Sequence, residues 1–302
     1  MVWFAGLLFL GCDTNLEDTA EAVIRGPAPE VQAPSNTLAQ LTDSQFRNTI
    51  QSLFGDGIAL PSQLIFIDDV DGLEAVGASV SSISPLGAER FELAAYQIAA
   101  QVLEPEGESF LELGCSPSEI QDFECASLAL SRLGERVWLR PLSDAETLNL
   151  TDLSMEASDT LGNFYDGLEF GLAAMLMSPN FIYRPELGVD GRLDAFELAT
   201  RLSYFLWNTM PDDELLAVAS DDRLLAEAVL TAQVDRMMAD PRLIQGLDAF
   251  FGDLYDLNLL DEMSKDPLIY KHMNSELPAA AREETLRVIS DLVFHQNADF
   301  RD

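Results

Sequence analysis

The chain has 302 residues, 48% of them hydrophobic, which suits one large domain or two ordinary ones and excludes disorder for most of its length. Its 52 acidic residues against 17 Lys and Arg give a formal net charge of −35. This charge repels phosphate backbones, so we expect no nucleic-acid partner, and anionic membrane surfaces are disfavoured for the same reason. The simplest interpretation of the charge is solubility.

Residues 1–12 form an apolar run that ends at Cys12. The run is too short to span a bilayer and is typical of the hydrophobic part of a secretory signal. Its ending, Leu8-Phe9-Leu10-Gly11-Cys12, resembles the lipobox of bacterial lipoproteins, in which the cysteine receives the lipid. Phe9 and the absence of Lys or Arg before the run depart from that pattern. We predict lipid attachment at Cys12 as the only membrane contact.

Residues 13–40 are rich in Ala, Pro, Glu and Asn and contain no aromatic residue, which is typical of a flexible, disordered tether. A lipid anchor, a tether and a folded body form a coherent arrangement. We therefore expect an exported lipoprotein, held at an outer or cell-surface membrane and facing the periplasm or the exterior.

The rest of the chain predicts an all-α fold, a bundle-like array of helices in two subdomains, 41–186 and 190–302. Capping boxes at Thr42 and Ser143 start two helices, and Pro85 and Asp194 start two more. Further helices are expected at about 120–138 and 164–177, and after Pro211, Pro241 and Ser275, with a short strand conceivable at 64–67. Because the chain ends at Asp302 without a closing cap, we expect the second subdomain to be incomplete.

An acidic stretch, 68–74, lies in the loop between the first two predicted helices. It holds the densest set of oxygen ligands in the chain, but its spacing does not satisfy the EF-hand pattern. A solvated acidic turn is the favoured interpretation, and calcium is the alternative. The residues that would bind the ion are Asp68, Asp69, Asp71 and Glu74.

Cys115 and Cys125 remain as a pair once Cys12 is assigned to the lipid. In an oxidising compartment such a pair predicts a disulfide, whereas two buried thiols would be expected in the cytoplasm. The short loop that the bond closes would make it worth a little under about 3 kcal/mol. The spacing matches neither a zinc motif nor the CxxCH of covalent haem attachment, so no cofactor is evident.

Three stretches, 41–55, 125–186 and 198–215, together resemble the planctomycete-specific domains of unknown function. The most specific is Leu-Ala-Thr-Arg-Leu-Ser-Tyr-Phe-Leu-Trp-Asn-Thr-Met-Pro-Asp at 198–212. The resemblance implies an exported, modular protein, in a family whose members often carry a c-type cytochrome domain and extend beyond the point matching Asp302. Gly72-Leu73-Glu74 and the diluted Arg-rich motif at 137–141 depart from the family pattern.

The signature residues of this stretch are Arg201, Tyr204, Trp207, Pro211 and Asp212. They have a sufficient structural interpretation, in which Leu198, Leu202, Phe205 and Leu206 form one helix face and Asp212 to Glu214 begin the next helix. Arg201 is expected to pair with a carboxylate. A cation bound by the acids beside Trp207 is the alternative.

The sequence contains no GxSxG, HExxH, GxGxxG or P-loop motif, so whether the chain is an enzyme stays open. Paired carboxylates for glycoside hydrolysis carry no specificity among 52 acids. Two hypotheses follow. The first is a non-catalytic binding or scaffolding lipoprotein that works with other envelope proteins. The second is a module of an exported redox or polysaccharide-degrading system, partnered by a c-type cytochrome.

Overall fold

A computed structural model describes residues 37–61, 64–65, 67, 69–70, 73–103, 113–188, 190–260, 263–266, 268–274 and 276–296. Cys12, Asp68 and Asp71 lie outside these residues, as does almost all of the predicted tether. The tether's last four residues, Thr37–Gln40, form strand β1.

The first half of the described chain is predominantly helical. Its helices are α1 (Asp43–Phe54), α2 (Glu74–Gly77), α3 (Pro85–Leu103), α4 (Phe123–Val137), α5 (Asp144–Leu161), α6 (Phe164–Met177) and α7 (Pro179–Ile182). The capping boxes predicted at Thr42 and Ser143 are confirmed, because in each the side chain accepts a hydrogen bond from the third helical N–H.

A two-stranded antiparallel sheet follows α7, in which β1 pairs with β2 (Tyr183–Glu186) so that Thr37 faces Glu186 and Gln40 faces Tyr183. The mostly helical prediction is confirmed, but this sheet was not expected. Each strand has only four residues, too few to produce an alternating pattern in the sequence. The strand considered at 64–67 does not form at the described positions Leu64, Ile65 and Ile67.

The remaining helices are α8 (Ala195–Leu206), α9 (Asp213–Ser220), α10 (Glu227–Met238), α11 (Leu243–Leu254) and α12 (Leu277–Ser290), which a π-helical turn extends over Asp291–His295. Single 3₁₀ turns lie at Arg223–Leu225 and Leu257–Leu260. Asp194 caps α8 in a third capping box. Within the described residues, no helix is both long and apolar enough to cross a membrane.

The largest core lies among α1, α3, α4, α5 and α6. At its centre Phe46 makes edge-to-face contacts with Phe91 and Phe181, at centroid distances of 6.0 and 5.6 Å. Tyr204 and Met210, which follow the predicted subdomain boundary at 186–190, are part of the same core. Residues 34–302 accordingly form one compact unit, so α8 is packed against both halves of the body.

The buried face of α8 is wider than the predicted one and leaves out one predicted residue. Ala195, Ala199, Ser203 and Tyr204 are buried, whereas the ring of Phe205 is 74% exposed. At its C-terminal end α8 is crossed closely by α11: a Cβ on Gly246 would lie 2.1 Å from the carbonyl oxygen of Leu206. The helix is as predicted, and Leu198, Leu202 and Leu206 of the predicted face pack against the core, whereas Phe205 does not.

Candidate functional site

Trp207 lies at the centre of a cluster of charged side chains from four segments of the second half. Its ring is fully buried, and its indole Nε1 donates to the carbonyl oxygen of Met237 at 3.0 Å. The guanidinium carbon of Arg242 lies 3.5 Å from the ring centroid, and that of Arg236 lies 5.5 Å away. Both distances are within cation–π range, so the buried ring is covered by two positive charges. We call Trp207, Asp212, Arg236, Asp240 and Arg242 the tryptophan–arginine cluster.

Asp212 joins the two arginines of the tryptophan–arginine cluster. Its carboxylate accepts two hydrogen bonds from Arg236, at 2.8 and 3.0 Å, and one from Arg242 at 3.0 Å. It also caps α9 by accepting from the N–H of Leu215 at 3.0 Å. Burial raises the pKa of Asp212, but the bonds from Arg236, Leu215 and Arg242 outweigh it, and the net pKa is lowered. The carboxylate is therefore ionised at neutral pH.

Asp240 completes the tryptophan–arginine cluster. Its carboxylate accepts from Nε and Nη2 of Arg242 at 2.8 and 2.7 Å. These bonds from Arg242 lower its pKa to about 2, while the pKa values of both arginines are raised, chiefly by their hydrogen bonds to Asp212 and Asp240. The carboxylates beside Trp207 therefore bind two guanidinium groups, at the position where a bound cation was the alternative interpretation of the sequence. These ion pairs stabilise the junction of α8, α9 and α10. The shifted pKa values of these groups do not suit proton transfer near pH 7.

The other signature residues lie around the tryptophan–arginine cluster. Arg201, 47% exposed, approaches Glu186 of β2 at 3.3 Å, and the Tyr204 hydroxyl lies 2.9 Å from that of Thr49. Pro211 precedes α9, which begins two residues later with Asp212 as its N-cap. The structure therefore places the signature at the junction between α1, β2, α8 and α9.

The acidic loop is only partly described. Glu74 begins α2, and the carboxylate of Asp253 in α11 accepts from the backbone N–H groups of Glu74 and Ala75, at 2.7 and 3.1 Å. Burial, and then the nearby charges of Asp253 and Asp43, raise the pKa of Glu74. Among the described residues, which include Asp69, no three His, Cys, Asp or Glu side chains are grouped to hold a metal ion.

Cys115 and Cys125 form the predicted disulfide, with their Cα atoms 5.6 Å apart. The bond attaches the segment before α4 to the first turn of that helix, where Asp122 caps the N–H of Cys125 at 3.0 Å. The predicted pairing is confirmed.

An open cleft of about 570 Å³ lies between α11 and α12. Ile244, Ala279 and Leu286 form its apolar wall, and Asp248 and Arg282 are among its charged residues. The Nε atom of Arg282 is buried and has no hydrogen-bond partner within the part of the chain that the structure describes. Burial raises the pKa of Asp248, and Arg282 opposes that shift. Concave surfaces that combine apolar and charged side chains occur at sites that bind another molecule, and the sequence carried no signal for this cleft.

Comparison with known proteins bears on two segments of the chain. Residues 193–302 match the family described as PSD4, protein of unknown function (DUF1592), and residues 125–186 match PSD5, protein of unknown function (DUF1595). These matches agree with the predicted relationship to domains of unknown function, and residues 41–55 lie outside both. No curated protein and no solved structure matches the chain.

Proposed function

We propose that this chain is an exported protein, lipid-anchored at Cys12, that acts in the cell envelope as a non-catalytic binding or scaffolding component. The observation that carries the export proposal is the Cys115–Cys125 disulfide. Disulfides persist in oxidising compartments and are rare in the cytoplasm. The apolar run ending at Cys12 and the polar stretch after it support the anchor.

The binding role is supported by the difference between the contacts of the charged side chains in the tryptophan–arginine cluster and in the cleft. The arginines and acids of the tryptophan–arginine cluster are bonded to one another, which gives the family signature a stabilising function. The α11–α12 cleft instead is lined by apolar side chains and by Arg282, whose Nε has no hydrogen-bond partner among the described residues. We propose that it binds a segment of another envelope protein, with an apolar side chain against Leu286 and a carboxylate or carbonyl oxygen at Arg282.

A second candidate is a module of an exported redox or polysaccharide-degrading system with a c-type cytochrome partner. The observation that favours it is the net charge of −35, which complements a basic partner. The two candidates share the exported location and differ in what the body binds.

The first experiment is the intact mass of the natural, detergent-extracted protein, with and without reduction. We expect a chain that begins at Cys12, carries acyl groups and gains two hydrogens on reduction. An unprocessed chain with free thiols would overturn the export proposal. Haem absorbance or polysaccharide hydrolysis in the extracted complex would favour the second candidate over the first.

The cleft is tested separately by photo-crosslinking in intact cells. A benzophenone amino acid placed at Ala279, on the cleft wall, should trap an envelope protein. The matched control carries the same group at Glu284, which is exposed on α12 outside the cleft and should trap none. Equal adducts at both positions would contradict a binding site in the cleft.

A further inference from the structure

The turn between the 3₁₀ turn Leu257–Leu260 and α12 presents three consecutive large apolar side chains to solvent. Leu268, Ile269 and Tyr270 are 84, 72 and 54% exposed, and Leu268 is the most exposed large hydrophobic residue in the described part of the chain. We call these three residues the apolar tip. Single exposed apolar residues are ordinary, but three in sequence at one turn indicate a surface that meets an apolar medium.

Asp266 organises the backbone of the apolar tip. Its carboxylate accepts from the N–H of Leu268 at 2.8 Å, and its carbonyl oxygen accepts from the N–H groups of Ile269 and Tyr270 at 3.1 and 2.9 Å. The carbonyl oxygen of Tyr270 accepts from Met273 at 2.9 Å. Because all three N–H groups of the apolar tip are bonded within the turn, its transfer into an apolar medium leaves no backbone donor unpaired there.

Both lysines of the chain lie beside the apolar tip. Lys265 and Lys271, the only lysines among 302 residues, flank the tip, and both are exposed. Within 263–274 they face a single acid, Asp266, although Asp261, Glu262 and Glu276 lie just outside this stretch. Lysine side chains can extend their ammonium groups to lipid phosphates while their stems stay in apolar surroundings, and tyrosine is enriched at membrane interfaces.

We infer that the apolar tip inserts into the interface of a phospholipid bilayer, with Lys265 and Lys271 at the level of the phosphates. A bilayer fits better than a protein groove because the tip combines a self-bonded backbone, apolar side chains at its apex and a lysine on either side. The acidic remainder of the chain acts against approach, but charges beyond about 8 Å are largely screened at physiological ionic strength. This contact adds to the lipid anchor, which the sequence analysis predicts as the only membrane contact.

The inference does not depend on lipidation, so its test uses the chain with Cys12→Ser and without residues 1–11, which carries neither the lipid nor the apolar run and keeps the whole compact unit 34–302. The probe is a vesicle of phosphatidylcholine and phosphatidylglycerol in a 4:1 ratio, in 150 mM salt, and the readout is the partition coefficient from co-sedimentation. Replacing Leu268 and Ile269 by Ser should lower this coefficient at least about tenfold, because two buried aliphatic side chains drive insertion. Replacing Lys265 and Lys271 by Gln should lower it several-fold on these vesicles and less on pure phosphatidylcholine.

The matched control is Val80→Ser, which removes another side chain that is 71% exposed and should leave partitioning unchanged. Circular dichroism and the thermal transition show that each variant folds. Absence of vesicle binding by the Cys12→Ser chain, or equal binding after the Leu268 and Ile269 replacements, would overturn the inference. Self-association that is lost with the same replacements, without vesicle binding, would assign the apolar tip to a second copy of this chain. Failure of lipidation at Cys12 would leave this result unaffected.

Discussion

The hydroxyl oxygens of Thr49 in α1 and Tyr204 in α8 lie 2.9 Å apart, at positions where both side chains are almost completely buried. Thr49 donates its own proton to the carbonyl oxygen of Gln45 at 2.7 Å, so Tyr204 is the donor between the two hydroxyls. The pair connects the first described helix to the stretch 198–212, 155 residues later in the chain. Beside it, Asn48 donates to the carbonyl oxygen of Asn208 at 3.0 Å.

The Tyr204 hydroxyl should contribute measurably to stability. Tyr204→Phe removes one buried hydrogen bond and is expected to lower the free energy of unfolding by about 1 kcal/mol in urea titrations. A double-mutant cycle with Thr49→Val should show coupling of similar size. The control is Tyr255→Phe, at a ring that is 48% exposed, where little change is expected. Additive effects at 49 and 204 would contradict a direct bond.

Arg242 should not be replaceable by lysine. Its planar guanidinium lies 3.5 Å from the centroid of Trp207 while binding Asp212 and Asp240. Lysine keeps the charge but cannot stack and bond in this way, so Arg242→Lys should cost about 1–2 kcal/mol of unfolding free energy and raise the exposure of Trp207 in fluorescence quenching. Arg223→Lys, in an ion pair exposed on both sides, is the control and should be neutral.

Gly246 should be required for the close crossing of α8 and α11. An added Cβ would lie 2.1 Å from the Leu206 carbonyl oxygen, which is backbone and cannot move aside alone. Gly246→Ala should therefore lower the melting temperature by several degrees, consistent with an overpacking cost of about 1–3 kcal/mol.

Gly252 provides the matched control in the same helix. Its added Cβ would meet only the end of the Arg282 side chain, at 3.5 Å. Because alanine favours helix by up to about 1 kcal/mol over glycine, Gly252→Ala should be neutral or stabilising. Equal effects of the two substitutions would show that helix propensity, and not the crossing, decides them.

The disulfide should stabilise the segment before α4. Replacing Cys115 and Cys125 together by Ser is expected to lower the unfolding free energy by about 2–3 kcal/mol, as the chain-entropy relation gives for a short loop. Reduction of the natural protein should have the same effect, and the double variant should not respond to reductant. A response of the double variant would mean that reductant acts elsewhere on the chain.

Glu74 should make stability fall as pH rises. Its pKa is raised by burial and by the charges of Asp253 and Asp43, so folding favours the protonated form. The resulting stability is fully present below the ordinary pKa of a glutamate, near 4.3, and is lost as pH rises through the higher value in the folded protein.

Glu74→Gln should therefore raise the melting temperature at pH 7 relative to the natural protein and leave it nearly unchanged at pH 3.5. The control is Glu135→Gln, at an exposed position on α4, where no such change is expected. If Glu74→Gln instead lowers the melting temperature at pH 7, the ionised carboxylate stabilises the folded protein, and the predicted direction of the pH dependence is wrong.

Helices that carry strong local signals could be predicted from the sequence alone. Thr42 and Ser143 cap helices because their side-chain oxygens accept from backbone N–H groups three residues away, a relation within one turn that needs no tertiary partner. The same holds for Asp194 and for the α6 boundaries at Phe164–Met177, which are as predicted. The disulfide could be predicted because two cysteines remain once Cys12 is assigned to the lipid. The relationship to domains of unknown function could be predicted from three local stretches.

The contacts between these elements depend on tertiary packing and could not be predicted from the sequence. The close approach of α11 to α8 at Gly246 is a tertiary contact, and Phe205 is exposed although its periodicity suggested burial. The two strands pair across more than 140 residues, and Asp212 binds arginines 24 and 30 residues later. Local patterns carry no information about such distant partners, because their contacts arise only when the whole chain is packed.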